Sequence, residues 1–182
     1  MLWLLLFSVV GVVGGITKDV EVSVRDVVTM EKSEGTYVYS TTALHHSGVL
    51  AMLAAAVAKA DGIGQPQCIV VCDASGTVLG SMRMTGAKFL SLKSAESKAK
   101  SAASSGRPSN TLLDALRGPL AAATDGDVTG MPGGLPIRID GVLLGGIGVG
   151  SGHGDQDIVV ANAALAAIGA MTFDLAVYGG EP

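Results

Sequence analysis

The chain has 182 residues, of which 48% are hydrophobic, 15% charged and 4% aromatic, and its formal net charge is −4. That length supports one well-buried core and one domain. The acidic balance, with no Lys/Arg cluster interleaved with aromatics, lacks the electrostatic footprint of a nucleic-acid binder, and the few aromatics leave little for single-stranded bases to stack on.

Residues 2–13 are a nearly unbroken apolar run ending at Gly14 and Gly15. Small residues there suit a signal peptidase, whereas the lack of Lys or Arg before the run departs from a signal peptide. The run is too short to span a bilayer. Two readings stay open: a signal peptide over residues 1–15, giving a secreted chain that starts near Ile16 and has no further membrane contact, or a buried strand. Residues 16–44 read as an N-terminal extension. Within it, 19–28 and 35–44 alternate apolar and polar residues with β-branched or aromatic side chains, which predicts two strands.

From His45 or His46 to Ala60 the apolar set Val49, Met52, Leu53, Ala56, Val57 and Ala60 recurs at helical spacing, and Asp61-Gly62 ends the helix. Residues 67–84 predict two strands joined by a turn at Asp73 to Gly76, a hairpin central to the sheet. Cys68 and Cys72 fall on the first of these strands, roughly 13 Å apart at about 3.3 Å per residue. A disulfide needs Cα atoms within about 7 Å, so both read as small core residues. Residues 91–106 form a small-residue helix closed by Gly106 and the Pro108 beyond it. A Gly/Pro-rich loop follows over 125–136, a kind of connection that often carries function. A second hairpin spans 136–149, with Asp140-Gly141 suited to a primed two-residue turn. The last helix starts near Asp155.

The stretch LLGGIGVGSGHGDQD, residues 143–157, invites a phosphate-loop reading. It has no glycines at i, i+2 and i+5, as a dinucleotide fingerprint needs, and no Lys followed by Ser or Thr after its last Gly, as a nucleotide-hydrolase loop needs. It reads instead as a strand-to-helix joint. Glycines there let a helix, or a ligand, approach the backbone closely. Asp155 would cap the free N–H groups of the last helix and compete with any bound anion.

The ordered blocks IVVCDASGTVLGSMRMTGA, SKAKSAASSGRPS and PGGLPIRIDGVLLGGIGVGSG, then QD and an Ala-rich helix, resemble the GlcG/HbpS family, which includes the C-terminal domain of PduO-type proteins. The resemblance covers roughly residues 45–170. It implies an α+β single domain over residues 45–182, an antiparallel β-sheet flanked by α-helices in profilin-like layers, commonly assembled as a homo-oligomer. It also implies a small-ligand-binding protein, with haem or a related tetrapyrrole such as a corrinoid as the ligand. The alternative is a cofactor-independent enzyme acting on a small organic acid in the same pocket.

Six residues within the matched blocks are candidates for binding the cofactor. Arg83 ends the first hairpin, Lys98 and Ser101 sit one turn apart on the small-residue helix, and Arg107 follows it. Facing one cleft, the three cations would suit haem propionates or a small organic acid. The competing readings are a solvated lysine and an arginine that caps helix carbonyls. Ser101 matches a hydroxyl position in the family's KAxTA-like run, which implies a weak axial or supporting role. His45 and His46 open the first matched helix, and neighbours on a helix diverge by about 100°, so one of them could coordinate haem iron while the other faces elsewhere. His153, Asp155 and Asp157 are too few and too loop-borne to assign a metal site. No spacing supports a Ser/His/Asp arrangement or a carboxylate pair, so no catalytic residue is assigned.

Overall fold

The structure is a computed structural model that describes Tyr37 and residues 39–174. The chain divides into a unit ending at Tyr39 and one starting at Ser40, to which every element below belongs. The expected signal peptide over 1–15 and the expected strand over 19–28 lie outside the described residues. Of the strand expected over 35–44, the structure describes Tyr37 and residues 39–44, and these are irregular rather than a strand.

Element order is α1 (His46–Gly62), β1 (Cys68–Asp73), β2 (Val78–Arg83), α2 (Ser91–Ser105), a short 3-10 turn (Ser109–Thr111), α3 (Asp114–Ala123), β3 (Gly134–Ile139), β4 (Val142–Gly150) and α4 (Gly154–Ala166). The four strands form one antiparallel sheet in the order β2-β1-β4-β3. This is the expected α+β layering. The first hairpin is central only through β1, which pairs on both sides, while β2 is an edge.

Alternation along the strands separates two apolar layers. Ile69, Val71, Leu135, Ile137, Ile147 and Val149 face α1 and α4, which contribute Met52, Ala56, Val160 and Leu165. Cys68, Val70 and Cys72 face α2, which contributes Ala95, Ala99 and Ala103. The β4 partners of those three residues are Gly150, Gly148 and Gly146. A Cβ on Gly148 would collide with the Ala95 carbonyl, and one on Gly146 with the Ala99 carbonyl. The glycine run therefore lets α2 lie directly on the sheet. Asp140 (φ 50°) and Gly141 (φ 79°) are both left-handed, as the primed turn requires.

Both cysteines are buried free thiols. Burial pushes the Cys72 thiol up to about 11, so it holds its proton and packs as a small apolar residue. Among the described residues, no helix is long and apolar enough to cross a membrane.

Candidate functional site

Helix α2 is rich in serine, and its hydroxyls organise the chain that follows it. Ser97 Oγ donates to Lys93 O at 3.1 Å and lies 2.6 Å from Gly126 O. Ser101 Oγ donates to Ser97 O at 2.7 Å and accepts the Thr129 N–H at 2.8 Å. Two lysines of the same helix, Lys93 and Lys100, each reach the Asp127 carboxylate at 2.9 Å. Lys93, then Lys100, hold that carboxyl below its ordinary range. Residues 126–129 are thereby pinned to α2.

Beyond this pinned loop, α2 and α3 enclose a cleft of about 430 Å³. One wall is the end of α2, with Ser101, Ser104, Ser105 and then Arg107. The other is Leu113 with Leu116 and Leu120 of α3. Ser109, Thr111, Thr124 and Thr129 add hydroxyl groups, and among the described residues Arg107 is the one charged residue in the lining. Volumes of roughly 300–1,000 Å³, apolar lining and a few polar groups characterise small-molecule pockets.

Arg107 is exposed, and among the described residues its guanidinium makes no hydrogen bond or ion pair. It does not cap α2. That end is closed by left-handed Gly106 (φ 64°), whose N–H donates to Ala102 O, and by Ser105 Oγ, which accepts the Arg107 N–H. The cation is thus available to a ligand anion.

Lys98 departs from expectation. Its side chain is 6% exposed, and its ammonium donates at 2.8 Å both to Val149 O and to Asp157 Oδ2, whose side chain is 2% exposed. Asp157 also accepts the Gly152 N–H at 3.2 Å. Burial pushes the Asp157 carboxyl upward, opposed chiefly by the Lys98 charge. The pair ties α2 to the first turn of α4 across the end of β4, so Lys98 belongs to the framework rather than to a ligand. Ser101 does line the cleft, but its hydroxyl is engaged by Ser97 and Thr129.

The histidines lie elsewhere. His45 is the N-cap of α1, with Nδ1 2.8 Å from Ser47 Oγ, and its ring centroid is 3.9 Å from that of His46. Both are exposed, and α1 lies on the opposite face of the sheet from α2. No imidazole lines the cleft. Arg83 is exposed at the end of edge strand β2. The six expected residues therefore do not converge: Ser101 and Arg107 share the cleft, and His45 and His46 form a separate pair. His153 caps α4 and Asp157 turns inward to Lys98; among the described residues no group of three or more His, Cys, Asp or Glu could hold a metal.

The residues that sequence reasoning missed are the leucines of α3. Their signal was the spacing of Leu113, Leu116 and Leu120, three and four apart on one helical face.

Comparison with known proteins accords with the fold. A PduO corrinoid adenosyltransferase of Citrobacter freundii is 34% identical over 124 residues, which are 65% of this chain and 37% of that one, so the chain spans well under half of that relative. The crystal structure of a PduOC:haem complex is 30% identical with a TM-score of 0.67, covering 73% of this chain and 100% of that one. A double mutant of Streptomyces reticuli HbpS is 28% identical with a TM-score of 0.66, covering 75% of this chain and 94% of that one. Residues 44–166 match the family model of haem-degrading HbpS-like proteins, and the chain belongs to that HbpS-like family.

Proposed function

We propose that this domain binds haem or a related tetrapyrrole. The observation carrying the reading is its likeness to the PduOC:haem complex, the whole of which aligns with this domain. The chain's own donors fit such a group. Haem supplies an iron that takes an axial imidazole, and His45 and His46 are exposed side by side at the head of α1. Ser47 engages His45 Nδ1, leaving Nε2 as the nitrogen open to a metal. Arg83 carries a guanidinium group without a protein partner among the described residues, and a guanidinium forms paired hydrogen bonds to a carboxylate such as a propionate.

Assembly into a homo-oligomer belongs to the same reading. Edge strand β2 exposes Val78 at 42%, Leu79 at 41% and Met82 at 42%, and α1 exposes Leu50 at 65%, a concentration of apolar surface that a lone chain would leave in water.

Haemin titration followed at the Soret band tests the binding. The wild type should show a shifted, saturable band that weakens in His45→Ala or His46→Ala and disappears in the double variant. Aquocobalamin in place of haemin tests the corrinoid alternative. An unchanged band in the double variant removes the imidazole assignment, and no band shift in the wild type removes the haem reading. Light scattering on the same samples should give a mass above that of one chain; a monomer at every concentration contradicts the assembly.

A further inference from the structure

We infer that the cleft between α2 and α3 is a binding site for a monocarboxylate with an aliphatic body, separate from the imidazole pair, and that α3 is the wall that closes on it. Helix α3 is amphipathic, yet none of its residues is buried. Leu113 is 68% exposed and Leu116 44%, although with Leu120 they line the cleft. An apolar helical face normally contributes by packing on a core. Here it is turned to a volume of about 430 Å³ that the described residues leave unfilled, large enough for a small molecule.

The polar groups narrow the chemistry of the occupant. Among the described residues Arg107 is the one charge in the lining and has no protein partner, so the ligand brings an anion. Among the described residues no acidic side chain and no second cation lines the cleft, which disfavours amines and polyanions. The Ser104 hydroxyl can donate a further hydrogen bond to a carboxylate, whereas those of Ser105 and Thr111 already donate to Ser101 O and Pro108 O. The leucines then cover the aliphatic part.

The anchoring of α3 suits it to move. Arg117 holds the segment together by contacts within it, to Asp114 Oδ1 at 3.0 Å, Leu112 O at 3.2 Å and Asn110 O at 3.4 Å. The Arg117 side chain also lies against Gly130, where a Cβ would meet it. The inner turns of α2, in contrast, are fixed to the sheet. Ligand binding would bury the leucines and couple a loosely held helix to a rigid one.

Octanoate and 1-octanol are suitable probes, because they share the aliphatic body and differ in the anion. Calorimetric titration of the full chain should show octanoate binding about tenfold or more tightly than octanol, the range for a hydrogen bond to a charged group. Arg107→Gln should erase that difference. Leu116→Ser should weaken both ligands alike, and because Leu116 is exposed both variants should melt as the wild type does. Octanoate should also slow amide hydrogen exchange across residues 114–123. Haemin binding at the imidazoles should survive Leu116→Ser and saturating octanoate. Equal affinity for the two probes, no saturation by octanoate, or octanoate affinity unaffected by both substitutions would overturn the site. Displacement of haemin by octanoate would also overturn it as a separate site, while leaving the haem reading in place.

Discussion

Helices α2 and α3 are adjacent in the chain and opposite in what their sequences suggest. SLKSAESKAKSAASS is polar and small, whereas LDALRGPLAAA carries leucines at helical spacing. Yet α2 buries seven residues, among them Lys98, Ser97 and Ser101, and α3 buries none. What decides burial is the partner surface. A strand paved with Gly146, Gly148 and Gly150 admits the backbone of α2 itself, so alanines and serines suffice to fill the contact. Among the described residues no comparable surface faces α3, and its leucines line a cleft. The rigid, close-packed helix supplies the fixed wall and the cation; the loosely held one supplies the apolar cover.

The largest expected effect lies on the buried ion pair that secures α2. Asp157→Ala leaves the Lys98 ammonium buried without its counter-charge, which should cost about 3–5 kcal/mol, or a fall of about 2–4 °C in melting temperature for each of those. Lys98→Met combined with Asp157→Leu removes both charges and should recover most of that loss. Urea denaturation of the three proteins is the check. A small loss in the single variant would mean that water reaches the pair and that α2 is less tightly held than its burial indicates.

Next comes the glycine paving. Gly148→Ala drives a methyl group into the Ala95 carbonyl and should cost about 1–3 kcal/mol, the usual range for overpacking. Gly118→Ala on α3 meets no atom within 4 Å, and by helix propensity should change stability by no more than about 1 kcal/mol, in the favourable direction. Equal effects in a denaturant series would erase the contrast between the helices.

That contrast also explains what the sequence could disclose. Helices α1, α2 and α4 and both hairpins follow from local period, from turn pairs such as Asp140-Gly141 and from the left-handed stop at Gly106. These signals act within a few residues. Helix α3 escaped because Gly118-Pro119 sits inside a ten-residue helix, where both residues argue locally for a break. The strand expected over 35–44 had the right alternation, but a strand also needs an edge to pair with, which no local pattern specifies. Ser101 and Arg107 both line the cleft, but no helical spacing links them, because Arg107 lies past the left-handed stop at Gly106. Lys98 was misplaced because its partner lies 59 residues away in the chain and reaches it only after α4 has packed beneath the sheet. The histidine pair and the cationic set share only their suitability for haem, and the sheet places α1 and α2 on opposite faces.

The smallest expected effect concerns the pinned loop that follows α3, and it is a pH effect. Lys93 and Lys100 hold the Asp127 carboxyl below its ordinary range. A carboxylate whose folded pKa is depressed stabilises the fold above its unfolded value, near 3.9, and loses that contribution as pH falls through the folded value. The pinning of residues 126–129 should therefore be complete at neutral pH and loosen only under acid below about pH 4. The amplitude is small, since the side chains of Lys93 and Asp127 are 58% and 40% exposed and water screens them. Amide chemical shifts of Val128 and Thr129, followed by NMR from about pH 6 to about pH 2, should show this step, and Asp127→Asn should abolish it. Asp73 provides the internal control: Ser75 chiefly holds its carboxyl low, so the amides of Ser75 and Thr77 should keep their own acid step in the Asp127 variant. A loop that titrates unchanged in Asp127→Asn would mean that the Ser97 and Ser101 hydroxyls alone set its position, and the lysines would then lose their part in shaping the cleft.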